Sequence, residues 1–226
     1  MSVEDATGAI GARIPAPELE IVGAAHVPFA AAPTLRFEAL AREPDAVPIQ
    51  SIGLTAQVMI DPARRGYDPA TRERLAELFG PPERWTPSTQ GLSWARVTAA
   101  VPGFTGETRF AIEVPCTYDL EVASAKYFDA LPDGSVPLSF HFNGTVFYHD
   151  PDGRLQMTPI SWSTTARYRM ELTAWRAMID EHYPGGGWVR LSRDTLAAVH
   201  ALRADRGLSS ADALVRELLV RSTEEG

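Results

Sequence analysis

Hydrophobic and polar residues alternate along four segments, which is typical of strands that place one face in a core. The apolar positions are Leu35, Phe37 and Ala39; Ile52, Leu54, Ala56, Val58 and Ile60; Phe110, Ile112 and Val114; and Leu138, Phe140 and Phe142. Turn-forming residues separate the segments, and PGFTGE at 102–107 and HDPDG at 149–153 both predict hairpin turns. The second turn should join antiparallel strands near 136–148 and 154–162.

Helical patterns interrupt and follow these strands. In residues 69–80, Asp68 occupies the N-cap position, Pro69 the first helical position and Gly80 the stop. Further helices are predicted near 119–131, 170–183, 193–205 and 210–222. Short turns without a regular alternation of strand and helix favour an α+β fold. We expect an antiparallel β-sandwich or barrel-like sheet with inserted helices and a C-terminal helical pair.

The same pattern predicts the domain organisation. Residues 1–17 lack periodicity and are expected to form a disordered leader. Residues 18–184 should form the antiparallel β domain with its helical insertions. Residues 185–226 should form a strand-helix-helix appendage, joined through the glycine run at 185–187.

Composition and charge narrow the possible functions. The chain has 226 residues, 45% of them hydrophobic, with a formal net charge of −8 and a single cysteine. No apolar run approaches the roughly 18 residues of a membrane span. The N-terminus lacks the basic segment and apolar run of a secretory signal, so we expect a cytoplasmic protein. The negative charge makes a nucleic-acid partner unlikely on electrostatic grounds.

Candidate chemistry begins with residues 114–131, which hold the only cysteine and the only lysine, Cys116 and Lys126. A catalytic thiol needs a base or a helix N-terminus that lowers its pKa, and Cys116 precedes the helix predicted to start near 117–119. No motif connects it to His26, His141, His149, His182 or His200. The favoured interpretation is a cysteine packed at a strand end, and a cysteine-dependent enzyme stays an alternative.

Other site signatures are weaker. His141 and His149, with Asp150 and Asp152 nearby, do not have the spacing of a metal site. The glycine run at 185–187 lacks the residues of a phosphate loop. The sequence therefore predicts no catalytic, cofactor-binding or metal-binding residue and no cofactor. Trp85, in a proline-rich context, is expected at the surface.

The C-terminal segment 188–219 has the sharpest pattern and resembles a ribbon-helix-helix unit, which dimerises and places a two-stranded ribbon in the DNA major groove. Trp188, Arg190 and Ser192 would face outward from the ribbon. Residues 188–226 contain six Arg and six Asp or Glu, a net charge of zero, which argues against DNA. Dimerisation through this tail and docking of the helical pair on the β domain both stay open.

Several motifs together resemble an uncharacterised bacterial family found mainly in high-GC, actinobacterial-type genomes. They are PERW at 82–85, VPGFTGET at 101–108, VPCTYDLEVASAKYF at 114–128, FNGTVFY at 142–148 and PGGGWVRLSRDTL at 184–196. Genes of this family are often found near nickel-iron hydrogenase genes. The resemblance implies a non-enzymatic, cytoplasmic accessory protein that binds a protein partner, in hydrogenase assembly or function. The alternatives are a ribbon-helix-helix-like DNA-binding or dimerisation protein and a cysteine-dependent enzyme.

Overall fold

The computed structural model describes residues 13–85, 91–116, 122–185 and 189–224. It confirms an α+β protein built from antiparallel sheets. The strands are β1 (Glu18–His26), β2 (Thr34–Arg42), β3 (Ile49–Ile60), β4 (Leu92–Val101), β5 (Glu107–Pro115), β6 (Ser135–His149), β7 (Leu155–Pro159) and β8 (Thr165–Glu171). The helices are α1 (Pro69–Phe79), α2 (Ala123–Ala130), α3 (Leu172–His182), α4 (Arg193–Asp205) and α5 (Ala211–Glu224).

The strands form two separate sheets. The smaller sheet has the order β1-β2-β5, and the larger has the order β4-β3-β6-β7, with β8 also paired to β6. All of the pairings are antiparallel. The long strand β6 therefore has β3 on one side, while β7 and β8 share the other.

The sheets bury their apolar faces against each other. Phe37 of β2 makes edge contacts with Trp94 of β4, Phe140 of β6 and Tyr168 of β8, at centroid distances of 6.1, 5.1 and 6.3 Å. The alternating apolar residues predicted for β3 are all buried, from Ile52 to Ile60. Each alternation found in the sequence thus corresponds to a core-facing row.

Helices α1, α2 and α3 extend this core with aromatic side chains. Phe128 of α2 stacks on Trp175 of α3 at 4.3 Å, and Phe79 of α1 contacts Tyr127 of α2 at 6.3 Å. Helix α1 begins as predicted, because the Asp68 carboxylate accepts a hydrogen bond from the backbone N–H of Thr71 at 2.9 Å. Within the described residues, no helix is long and apolar enough to cross a membrane.

The two predicted turns have different outcomes. The turn at 150–153 joins β6 and β7 as a hairpin, with Gly153 at φ +79°. The segment at 102–107 is not a hairpin turn, because β4 pairs with β3 and β5 pairs with β2 in the other sheet. Phe104 instead exchanges two backbone hydrogen bonds of 2.9 Å with Ile49. The segment therefore carries the chain from one sheet to the other.

Contacts divide the chain into two compact units, 1–187 and 188–226. Of the leader predicted at 1–17, residues 1–12 lie outside the described part, and the N–H of Ala16 donates to the Glu43 carboxylate at 2.9 Å. In the C-terminal unit, Ser192 caps α4 and Ser210 caps α5. Gly207, at φ +64°, follows α4, in a left-handed conformation that glycine adopts readily at the end of a helix.

Candidate functional site

Cys116 lies directly after β5 and is partly buried. Its thiol donates to the carbonyl oxygen of Val114 at 3.2 Å, and its backbone N–H donates to the carbonyl oxygen of Pro33 at 2.7 Å. Burial disfavours the thiolate and raises the pKa of Cys116 to about 12. The side chain is therefore a protonated thiol at neutral pH, which is the opposite of what a nucleophile needs.

Among the described residues, no helix begins beside Cys116. Helix α2 begins at Ala123, and the predicted start at 117–119 lies outside the described residues. The α2 dipole consequently begins seven positions after the cysteine and cannot act on its thiol, because the effect is confined to the first turn. Lys126 of α2 forms an ion pair with Glu77 of α1. Cys116 and Lys126 thus contribute to the packing and ion pairing of neighbouring elements.

The carboxylate of Asp150, near His149, has a structural role in the turn between β6 and β7. Asp150 accepts hydrogen bonds from the backbone N–H groups of Asp152 (3.0 Å) and Arg154 (2.9 Å) and from the Gln156 amide (2.9 Å). These bonds favour the carboxylate and lower the pKa of Asp150. Across the described part of the chain, no three His, Cys, Asp or Glu side chains are grouped so that they could hold a metal ion.

Trp85 is packed, contrary to the expectation of a surface position. Its indole N–H donates to the carbonyl oxygen of Gly80 at 2.9 Å, and its ring makes edge contacts with Tyr67 and Phe79. This partly buried hydrogen bond satisfies the one polar group of the side chain. Trp162, which the sequence does not distinguish, is instead 91% exposed.

The segment after the glycine run forms no strand in the single chain. Trp188 lies outside the described residues, and 189–192 have no strand pairing. Val189 and Leu191 are 77% and 42% exposed, although the ribbon-helix-helix pattern would place both in a core. On the two helices, Leu214 is buried, whereas Leu218 and Leu219 are exposed.

The structure draws attention to a different feature, the loop between β1 and β2. Its sequence, VPFAAAP at 27–33, contains no polar side chain. Phe29 at its centre is 97% exposed and has φ +57°. The left-handed region is unfavourable for a bulky residue, and an exposed phenyl ring gains nothing from burial. Contacts between the loop backbone and neighbouring elements must therefore stabilise the left-handed conformation of Phe29.

The loop is held at three points. The backbone N–H of Phe29 donates to Oε1 of Glu181 at 2.6 Å, while Oε2 of the same carboxylate lies 3.1 Å from Nε2 of His26. Nε2 of His182 lies 3.1 Å from the carbonyl oxygen of Ala30, and its Nδ1 lies 3.0 Å from that of Met178. Carbonyl oxygens only accept hydrogen bonds. The imidazole ring of His182 can therefore donate to both carbonyl oxygens when both of its nitrogens are protonated, and to one of them when a single nitrogen is protonated.

The third anchor is Cys116, whose N–H binds the carbonyl oxygen of the buried Pro33. Helix α3 and the end of β5 therefore fix the loop from two directions. A strained backbone that its surroundings impose is a sign of function rather than of packing. The apolar loop 27–33 presents one aromatic ring to solvent on an anchored backbone, which suits an anchor for a partner's pocket.

Sequence reasoning missed this loop. Phe29 stands outside every alternating segment, between prolines and alanines, so periodicity assigns it no buried row. One feature of the sequence could have identified Phe29: it is a large aromatic residue in an apolar stretch that has neither a strand pattern nor a helix pattern. Its exposure depends on Glu181 and His182, which are more than 150 positions away in the chain and become neighbours only through the fold.

Comparison with solved structures gives only distant similarity. The CARDB domain of a Pyrococcus furiosus protein, solved with di-metal ions, aligns at 9% identity over 75% of this chain and 98% of its own, with a TM-score of 0.28. The putative ApaA protein of Bordetella pertussis aligns at 12% identity over 70% and 96%, with a TM-score of 0.23. Beta-glucosidase 3B of Thermotoga neapolitana, solved with alpha-D-glucose, aligns at 10% identity over 69% and 17%, with a TM-score of 0.24.

No curated protein matches the chain. A family model does match, over residues 14–226, which is nearly the whole length. It includes both compact units and every strand and helix described above. The chain therefore belongs to the family of unknown function DUF6084.

Proposed function

We propose that this protein is a non-enzymatic accessory factor that binds a protein partner in the cytoplasm through the loop 27–33. The observation that supports the proposal is the exposed ring of Phe29 on a strained and anchored backbone. A loop whose backbone is already fixed before binding loses less conformational entropy when its aromatic side chain enters a pocket. Truncation of such an anchor costs about 2 kcal/mol or more, which is roughly 30-fold in affinity.

The partner that we propose is a protein of nickel-iron hydrogenase assembly or function. This part of the proposal rests on the sequence resemblance and its gene neighbourhood. The apolar loop fits a partner with a hydrophobic pocket rather than a charged surface, because residues 27–33 contain no side chain that could form an ion pair. The high pKa of Cys116 supports a binding role over a cysteine-dependent reaction.

The test is affinity capture of hydrogenase subunits and maturation factors from native lysate, quantified by mass spectrometry. Phe29→Asn is the informative variant, because asparagine tolerates a left-handed backbone and removes only the ring. We expect it to lose the captured subunits while melting at or above the wild-type temperature. Trp162→Ala is the matched control, since it removes an aromatic side chain that is also exposed.

Trp162 is well separated from the loop. Its neighbours Ser161 and Ser163 share a groove with residues 14–19, at the start of β1, whereas the loop follows the end of that nine-residue strand, about 30 Å away.

If hydrogenase proteins do not co-purify, and deletion of the gene leaves hydrogen uptake normal, the hydrogenase role is wrong. If the two variants behave alike, loop 27–33 is not the binding site.

A second candidate function is self-association through the C-terminal unit, as in a ribbon-helix-helix protein. It is favoured by the exposed Val189 and Leu191, which alternate on a segment without a pairing strand. Light scattering of the full chain and of residues 1–185 tests it. A dimer that disappears on truncation supports self-association, and equal masses exclude it. Retention of duplex DNA with a steep salt dependence would add nucleic-acid binding.

A further inference from the structure

Three arginine side chains line one cavity on the larger sheet, far in sequence from the loop 27–33. The cavity has a volume of about 250 Å³ and is lined by Arg64, Pro137, Leu138, Arg167, Tyr168 and Arg169. Arg167 and Arg169 alternate along β8 with the buried Ala166 and Met170. Their side chains therefore project from the face opposite the core.

The end of β3 places the third arginine at this point. Strand β3 ends at Ile60, opposite Leu138, and the N–H of Asp61 then donates to the carbonyl oxygen of Pro137 at 2.9 Å. The chain turns into a short 3-10 helix, Pro62–Arg64. There the carbonyl oxygen of Arg64 accepts a hydrogen bond from Nη1 of Arg169 at 3.4 Å, which brings the turn beside β8.

The guanidinium groups are only partly neutralised. Nη1 of Arg64 lies 3.8 Å from Oδ2 of Asp61, an oxygen that also accepts from the Ser139 hydroxyl. Nε of Arg169 donates to the Ser135 hydroxyl at 3.2 Å. Arg167 has neither an ion pair nor a hydrogen bond within the described residues. Among the described residues, Asp61 is thus the carboxylate that pairs with this group of three positive charges, while Glu171 follows Arg169 on the same face of β8.

Positive charges grouped in this way repel one another, and a bound anion would offset that repulsion. Guanidinium groups are planar forks of donors that bind phosphate oxygens in a bidentate manner, and they keep their charge at all physiological pH values. A cavity of this size lies below the roughly 300–1,000 Å³ of pockets for drug-sized ligands. The cavity is therefore suited to inorganic phosphate or to a phosphate group that carries a small substituent.

We propose that Arg64, Arg167 and Arg169 form a binding site for the phosphate group of a small ligand, either inorganic phosphate or a small phosphate monoester. Arg167 supplies donors that no described residue uses. Arg169 is oriented by Ser135 and by the Arg64 carbonyl oxygen, and it contributes through Nη2, which makes no hydrogen bond to any residue that the structure describes. The site is independent of the partner-binding loop.

The test is calorimetric titration of the full chain with inorganic phosphate and with glycerol phosphate, at constant ionic strength set with chloride. We expect saturable one-site binding with a Kd of about 1 mM or tighter for at least one of them. Tighter binding of glycerol phosphate would identify a monoester as the ligand, and equal or weaker binding would identify free phosphate. Arg167→Gln should weaken binding on the order of tenfold or more, because it removes charge-assisted hydrogen bonds.

Arg96→Gln is the matched control. Arg96 is exposed on β4, it has no ion pair or hydrogen bond within the described residues, and its loss changes the net charge equally. Strands β3 and β6 separate it from β8, a distance of about 14 Å. The proposal is overturned if neither phosphate compound binds in the millimolar range, or if the two variants weaken binding equally, which would indicate diffuse attraction.

Discussion

At the scale of single residues, Cys116 connects the end of β5 to the loop 27–33, because its backbone N–H donates to the carbonyl oxygen of Pro33. The lone cysteine suggested a nucleophile, yet its polar contacts are with the backbone of Val114 and Pro33. The sequence could favour packing for Cys116, because free cysteine is among the most buried residue types. It could not reveal that the same residue anchors the loop that carries Phe29.

The first prediction concerns thiol labelling. With a pKa of about 12, the native thiol holds a thiolate fraction at pH 7.5 roughly three orders of magnitude below that of an unfolded cysteine. We expect a maleimide or disulfide reagent to react slowly with the native protein and quickly in denaturant. Cys116→Ser should abolish labelling and leave partner capture unchanged. Rapid labelling of the native protein would restore the cysteine-dependent enzyme as the leading alternative.

The second prediction concerns alkaline pH. Burial raises the pKa of Cys116 to about 12 and also raises the pKa values of Tyr67 and Tyr127, whose hydroxyl groups share a 2.8 Å hydrogen bond. In the unfolded chain these groups ionise at a lower pH, near 8.5 for the thiol and near 10 for the phenols. Their contribution to stability is therefore complete below pH 8 and is lost progressively as the pH rises toward 12.

Urea unfolding at intervals between pH 7 and pH 11 measures this loss. The free energy of unfolding should fall steadily above pH 9, and Cys116→Ala should remove the part of the decline that begins near pH 8.5. Tyr127→Phe should flatten the part above pH 10, although it also removes the hydrogen bond to Tyr67. A stability that stays constant to pH 11 in the wild type would contradict the assigned burial of these groups.

At the scale of elements, the sequence predicted the strands with clear alternation and the capped helix α1, because these depend on neighbours within a few residues, whereas it did not predict β1, β4 or β8. Asp68 caps the helix that it was expected to cap. The segment 102–107 was wrongly predicted as a hairpin turn. Turn-forming residues specify a change of direction, whereas the partner of the next strand depends on the other sheet. Local chemistry cannot distinguish a hairpin from a crossing between sheets.

The third prediction uses two glycines at the β3–β6 pairing. A Cβ atom at Gly144 would lie 2.1 Å from the backbone oxygen of Gly53 and 3.1 Å from Cα of Leu54. Backbone cannot move aside as a flexible side chain can, so the two strands must separate. We expect Gly144→Ala to destabilise the protein by about 2–3 kcal/mol or more, measured by chemical denaturation.

Gly53→Ala is the control for this experiment. Gly53 lies on the neighbouring position of β3, and a Cβ atom added there meets nothing within 4 Å. The change should stay within about 0.5 kcal/mol of wild type, or stabilise the strand slightly, since glycine is unfavourable inside strands. Equal effects of the two substitutions would mean that the loss of a flexible residue, rather than the close approach of β3 and β6, controls stability.

At the scale of the whole molecule, the sequence predicted a separate segment after the glycine run at 185–187. It did not show how little apolar surface that segment buries. The principal core contains residues from Leu19 to Ile179, and all of its members belong to the first unit. In the second unit, Leu214 is the buried apolar side chain among the described residues. The two units thus differ sharply in how much apolar surface they remove from water.

The last prediction follows from this difference. Residues 1–185 should fold alone, with a melting temperature within about 3 °C of the full chain, because truncation removes no member of the principal core. A peptide of residues 189–226 should be at most partly helical, because helices of 13 and 14 residues are marginal in water without tertiary packing. Differential scanning calorimetry of the first fragment and far-ultraviolet circular dichroism of the second measure these outcomes. The opposite outcome would be a peptide 189–226 that is fully helical at micromolar concentration and loses helicity on dilution. That result would mean that its exposed leucines and valines associate between copies, and the C-terminal unit would then be the source of any dimer.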